Sequence, residues 1–262
     1  MSGVARTSEP GPAALWRRLV AEFLGSALLA AAVIGSGIAA VRLSPGDIGL
    51  ELLENAAATA AALFAIILMF GPVSGAHFNP VVSFADAAFG GLSWRDAAAY
   101  LPAQVAGCVT GAVAANLMYS LAAVSISSKH RASGAHALSE VIATAGLILV
   151  IFALARTGRG NSAPAAVGAY IGAAYWFTSS TSFANPAIAV GRMFSDTFAG
   201  IAPSSAPLFI AAEVGGGLAG VLIIKTLYPA LTPAQAAGIV MPHQLSADGD
   251  SPAAAASAQD PA

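Results

Sequence analysis

Residues 71–80 read GPVSGAHFNP, and residues 179–186 answer with SSTSFANP in the other half of the 262-residue chain. Each stretch ends in Asn-Pro and opens an apolar segment, 79–89 or 185–194, too short to cross a hydrocarbon core of about 30 Å. Asn79 and Asn185 are favoured N-caps, and Pro80 and Pro186 suit the first helical position, where the missing N–H has no partner anyway. Each segment therefore reads as a half-helix. The backbone before them, 73–78 and 179–184, has no helical bonds of its own. At membrane depth such backbone is tolerated only against protein or a watery cavity, so the pair points to a pore or a binding site.

Around these segments lie six apolar stretches, about 15–40, 48–71, 95–119, 136–155, 163–181 and 207–228, each long enough, or nearly so, to span a membrane. Composition agrees. The chain is 57% hydrophobic and 9% charged, against roughly half and a quarter in soluble domains, which leaves too little polar material to clothe a water-exposed globule. The first stretch follows Arg17 and Arg18 as a secretory signal would, but its length fits a retained helix. A net charge of −2 offers no field for nucleic acid. Cys108, the single cysteine, sits in an apolar run and reads as a buried filler; no disulfide, metal or cofactor is expected. Six spans put both termini on one side. Arg6, Arg17, Arg18, Arg95, Arg156, Arg159 and Lys225 fall on that side and Arg42, Lys129, Arg131 and Arg192 opposite, which favours cytoplasmic termini. Residues 1–12 and 230–262, rich in Pro, Ala, Ser and Gly, read as disordered tails around one membrane domain at 13–229.

That domain repeats itself. Residues 20–29 (VAEFLGSALL) resemble 138–149 (LSEVIATAGLIL), each with one early glutamate and each followed one span later by an Asn-Pro half-helix. Repeat one covers about 15–120 and repeat two about 136–229. Three spans per repeat force opposite orientations, and inverted repeats with broken helices are a transport architecture whose site lies where the repeats meet. Glu22 and Glu140 cost about 2.5–3.5 kcal/mol each on insertion scales, so each needs partners, and the buried N–H groups of the half-helix loops are the obvious ones. Glu213, in AAEVGGG, reads as the donor or acceptor of a structural hydrogen bond. His77, with no Cys or His nearby, reads as structural rather than as a ligand. Glycines four apart, Gly107 and Gly111, Gly168 and Gly172, Gly216 and Gly220, permit close helix contact within or between protomers.

The motif at 71–82 (GPVSGAHFNPVV), together with Asn185-Pro186-Ala187 and with 100–107 (YLPAQVAG), resembles the twin Asn-Pro-Ala signature and third helix of the aquaporin, or major intrinsic protein, family, over about 15–228. The resemblance implies an all-α membrane protein: a right-handed bundle of six transmembrane helices plus two re-entrant half-helices in an inverted repeat, forming a homotetramer in the inner (plasma) membrane. In that fold the half-helices meet at their Asn-Pro pairs, and two positive dipole ends at mid-pore disfavour cations. It further implies that Asn79, Pro80, Val81, Asn185, Pro186 and Ala187 form the pore signature, that Glu22 and Glu140 brace the loops, and that the carbonyls of Gly75, Ala76, His77, Thr181, Ser182 and Phe183 line the path. Each asparagine would keep its NH₂ group free for a passing oxygen.

The departure from the family lies in the filter. Most members carry an arginine directly after the second Asn-Pro-Ala, where this chain has Ile188, and Val81 replaces the alanine of the first signature. Carried over by spacing from the asparagines, the other filter positions are Thr59, Ala173 and Ser182, none of them large, aromatic or charged. Arg192, one turn beyond Ile188, has two placements open to it: leaning back to the mouth, or snorkelling to the headgroups. A wide, uncharged filter predicts passive, bidirectional permeation of small neutral solutes, namely glycerol-like polyols, metalloid hydroxides such as arsenous acid, and water. The run 185–202 also resembles a bacterial branch linked to arsenite movement. A water-selective aquaporin is the alternative within the family, and an ion-coupled secondary transporter is the alternative from another class. No catalytic constellation is visible, so an enzyme is not expected.

Overall fold

The computed structural model describes residues 13–229, and the tails expected at 1–12 and 230–262 lie outside the described residues. Among the described residues the chain is helical, with no strand. Repeat one contributes α1 (Leu15–Leu43), α2 (Ile48–Ser74), α3 (Pro80–Phe89) and α4 (Trp94–Met118). Repeat two contributes α5 (Gly134–Arg156), α6 (Ala163–Phe177), α7 (Pro186–Gly191) and α8 (Ala206–Leu227). Five of these, α1, α2, α4, α5 and α8, are long and apolar enough to cross a membrane. The fifth expected span is shorter than its sequence suggests. α6 has 15 residues, about 22 Å at about 1.5 Å per residue, and it stops at Phe177 rather than 181 because Thr178 turns extended (φ −107°, ψ 138°). Two further boundaries move. α2 continues through Pro72 to Ser74, so non-helical backbone begins at Gly75 rather than at 73. The second half-helix is α-helical only to Gly191, and Arg192–Phe194 tightens into a 3-10 turn.

The repeats use the same pairings: α1 packs on α2 and α4, and α5 packs on α6 and α8. Small residues bring these helices together. A Cβ on Gly107 or Gly111 of α4 would stand 2.3 or 2.1 Å from the carbonyl oxygens of Phe23 and Ala27 in α1, and one on Gly216 of α8 would stand 2.5 Å from that of Val141 in α5. The glycines thus serve packing within the protomer, where lipid supplies no hydrophobic drive between helices. Each half-helix is also clasped by the opposite repeat, α3 touching α8 and α7 touching α4, and the two half-helices meet each other. Cys108 is buried against Gly191, whose added Cβ would come within 2.8 Å of it. Many large apolar side chains, such as Trp16, Leu53, Met69, Leu218 and Leu222, are left exposed, as a lipid-facing surface requires.

Candidate pore and filter

The loops entering the two half-helices share one backbone pattern. Residues four, three and one before each asparagine have positive φ: Gly75, Ala76 and Phe78 at +86°, +51° and +50°, and Thr181, Ser182 and Ala184 at +65°, +49° and +48°. All but Gly75 carry a Cβ, and a left-handed residue of that kind costs roughly 1–2 kcal/mol, so something must hold them. The buried glutamates do. Glu22 of α1 accepts from Ser74 Oγ (2.6 Å), from the backbone N–H groups of His77 (3.0 Å) and Phe78 (2.7 Å), and from Gln104 Nε2 (2.8 Å). Glu140 of α5 accepts from the N–H groups of Phe183 (2.9 Å) and Ala184 (2.7 Å). Both are fully buried, and these bonds offset the loss of water.

Asn79 Oδ1 accepts from Val81 N–H at 3.0 Å, and Asn185 Oδ1 from the N–H groups of Ala187 and Ile188 at 3.0 and 3.3 Å, so each caps its own half-helix. Their amides cross over. Asn79 Nδ2 donates to the carbonyl of Ala184 at 2.7 Å, and Asn185 Nδ2 to that of Phe78 at 2.8 Å. An amide has two N–H donors, so one of each pair is held by the opposite loop and only the other is left for a solute, which corrects the expectation of a wholly free group. The altered signature is accommodated by a glycine: a Cβ on Gly217 of α8 would lie 2.2 Å from Val81 Cγ1.

Between the loops lies a cavity of about 60 Å³, several times the roughly 10–15 Å³ that one water needs. Leu29, Val33, Leu63, Leu147, Ile151 and Val167 make one apolar side of it, and the two loops with Asn79 and Asn185 make the polar side. Of the six residues expected to present carbonyls, Ala76, His77, Ser182 and Phe183 line this cavity, and Gly75 and Thr181 do not. Thr59, Ser182 and Ile188 line it as well. Ala173 does not; its side chain is exposed on the outside of α6, and Tyr175 takes the inward place. Two residues turn about 200° around a helix, and a phase counted back from Asn185 through the non-helical backbone after Phe177 is not kept. Tyr175 Oη stands 3.1 Å from Thr59 Oγ1.

Arg192 takes the inward of its two placements. It is 2% exposed and lines the cavity, its Cζ lies 3.4 Å from the centroid of the Phe183 ring, and its Nε donates to the carbonyl of Ala199. The cavity wall therefore holds aromatic and charged groups that the four residues found by spacing did not include. Ser182 lines the same space, while its Oγ is buried without a hydrogen-bond partner within the described residues.

Other buried groups were passed over in the sequence. His77 Nδ1 is 3.1 Å from Ser83 Oγ, and its Nε2 is 3.3 Å from Asp86 Oδ2, with both side chains of that pair fully buried. Gln104 also donates to Ser83 Oγ (3.0 Å), and Tyr100 Oη donates to the Ser74 carbonyl (2.9 Å). Asp86 is an acid in an apolar half-helix, and the cost argument applied to Glu22 would have found it. Tyr100 and Gln104, four apart on α4, share one helix face. Glu213 is fully buried next to the backbone N–H of Asn185, the Glu140 carboxyl and Arg192; no hydrogen bond of good geometry reaches its oxygens, and the Asn185 N–H is the donor placed for the structural bond expected of it.

Beyond the C-terminal end of α4, the segment 119–133 pairs with the chain that follows α7. Ser127 N–H donates to the Met193 carbonyl (2.9 Å) and Ala202 N–H to that of Lys129 (2.8 Å). Lys129 Nζ and Arg131 both donate to the Phe198 carbonyl (2.9 and 3.0 Å). Burial, and then the charges of Arg131 and Arg192, bring the Lys129 ammonium down to about 8. The N–H and hydroxyl of Ser128 hold Asp196 below the usual carboxylate range.

The chain is similar to known proteins. The family model for the major intrinsic protein matches residues 11–184, stopping one residue before the second Asn-Pro. The aquaglyceroporin AqpS of Rhizobium meliloti is 48% identical over 219 residues, covering 84% of this chain and 93% of that protein. The glycerol uptake facilitator protein of Pseudomonas aeruginosa is 34% identical, covering 88% and 96%. Among solved structures, the aquaglyceroporin from Plasmodium falciparum superposes with a TM-score of 0.61 at 21% identity, over 85% of this chain and 99% of that one, which supports the fold. Sequence identity sustained over nearly the full length of both curated relatives, on top of the family match, makes this chain a member of the major intrinsic protein family, whose members are membrane channels.

Proposed function

We propose that the cavity is the centre of a transmembrane pore that passes small neutral solutes passively and in both directions: glycerol-like polyols, metalloid hydroxides such as arsenous acid, and water. The observation that carries this reading is the pair of left-handed loops joined through the crossed amides of Asn79 and Asn185. Their lining carbonyls, at Ala76, His77, Ser182 and Phe183, supply acceptors along one side of the path, and the remaining asparagine N–H groups supply donors at its middle. The opposite side is hydrocarbon. A solute with hydroxyls on one edge and an apolar back matches both sides, whereas an ion loses its water there and meets two positive helix ends. Thr59, Ser182 and Ile188, with Tyr175, form the narrow part. The relatives named for glycerol or as an aquaglyceroporin support the polyol reading. Tyr175 and Arg192 at the wall favour a second, narrower reading in which water alone passes.

In the membrane the chain would sit with both termini cytoplasmic, since Arg192 is drawn into the cavity and leaves Arg42, Lys129 and Arg131 as the outer cations. Assembly as a homotetramer in the inner membrane rests on the family. Stopped-flow light scattering on proteoliposomes, comparing water, glycerol and arsenous acid, tests the solute class. Flux of all three above empty vesicles is expected. Water flux with neither of the others would replace the broad reading with the water-only one.

A further inference from the structure

Ile188 leaves the filter without the arginine that the family places directly after Asn-Pro-Ala, yet a guanidinium stands at the same cavity. We propose that Arg192 is the charge-selecting residue of the filter, supplied from one turn further along. Residues four apart share a helix face, and a side chain leans toward the N-terminus of its helix. Arg192 sits on the tightened turn after α7, and its side chain returns to the cavity that Ile188 lines. Two contacts fix it. The guanidinium lies over the Phe183 ring, its Cζ 3.4 Å from the centroid, and Nε is held by the carbonyl of Ala199. A guanidinium has five N–H donors, so the two NH₂ groups stay available for solute oxygens. The hydroxyl pair of Thr59 and Tyr175 lines the same cavity.

The outcome is a filter lined by a fixed cation with a donor edge, by hydroxyls that give or accept, and by the apolar Ile188. It selects neutral molecules whose oxygens accept from the guanidinium, and it repels cations, hydronium included. Arg131 lies over the same ring at 5.5 Å and adds to this positive field.

The proposal rests on the pore reading, and the experiment separates the two. Proteoliposomes carrying the wild-type chain, Arg192→Met, Arg192→Lys and the double variant Ile188→Arg with Arg192→Met are loaded with a pH-sensitive dye, and proton leak and glycerol flux are measured together. Removing a unit charge from the filter should raise proton leak by about tenfold or more in Arg192→Met. Arg192→Lys and the double variant should stay as tight as wild type. If Arg192→Met does not reconstitute, Arg192→Gln, neutral and of similar length, takes its place. A neutral variant that conducts glycerol and remains proton-tight overturns the proposal, and so does an Arg192→Lys variant as leaky as Arg192→Met. A wild-type chain that passes no neutral solute would instead sink the pore reading, and the leak comparison would still report on Arg192.

Discussion

The two half-helix loops have the same backbone and very different support. Behind the first stands a connected polar network: Glu22 accepts four hydrogen bonds, Gln104 links it to Ser83, Ser83 reaches His77, and His77 meets Asp86. Behind the second, Glu140 accepts two backbone bonds, Glu213 lies beside it and the Asn185 N–H with no well-formed bond, and Arg192 is turned toward the cavity. The symmetry of the repeats thus sets the path of the chain through the left-handed turns, and the side chains around it break that symmetry. One half is built to be held still. The other half adds Tyr175 and Arg192 to a cavity that both halves line.

The largest effect expected from breaking this comparison is at the glutamates. Glu22→Ala leaves four buried donors without an acceptor, at about 1–3 kcal/mol each, and Glu140→Ala leaves two. Glu22→Ala should therefore fail to accumulate as a monodisperse species in detergent, while Glu140→Ala is recovered with a lowered melting temperature. A more damaging Glu140→Ala would invert the ranking of the two halves.

Next come the other two acids, which should respond with opposite signs. Asp86→Ala takes away the neighbour of His77 Nε2 and should cost about 1–3 kcal/mol. Glu213→Met removes a buried carboxyl that, unlike Asp86, forms no ion pair among the described residues, and fills its volume with an apolar chain, a change that is often neutral or stabilising. Paired thermal melts read both; a stability loss at Glu213→Met as large as that at Asp86→Ala would show that Glu213 has a partner after all.

The smallest effect lies in the exposed segment 119–133. Lys129 titrates at about 8 in the folded chain against 10.5 for the free side chain. Its folded value is the lower one, so the protonated lysine weakens the fold at every pH below about 8, and the penalty fades as pH rises from there to 10.5. Relative to Lys129→Met, the wild-type melting temperature should climb across that window, less so in high salt. A flat difference would remove the pull of Arg131 and Arg192 on this loop.

Features with a fixed local cost were legible in the sequence. An acid in an apolar span needs partners, and Asn-Pro in front of a short apolar segment starts a helix, so Glu22, Glu140, Asn79 and Asn185 could be placed with their roles. Features that depend on phase or on a distant backbone atom were not. Tyr175 was missed because helical phase does not survive a stretch of left-handed residues, and the direction of Arg192 is set by Phe183 and by the carbonyl of Ala199 beyond the turn. Asp86 was legible by the same rule as Glu22 and was overlooked, since the half-helix was read for its start and not for its interior.

The crossed amides have a consequence for how solute can move. A carrier works by rocking one repeat against the other, so that the site opens to one face and then to the opposite face. Here Asn79 is tied to the Ala184 carbonyl and Asn185 to that of Phe78, with the repeats stitched at the axis about which they would rock. Alternating access would have to break both bonds in a buried setting on every cycle, and a molecule riveted at that point has only a standing passage to offer.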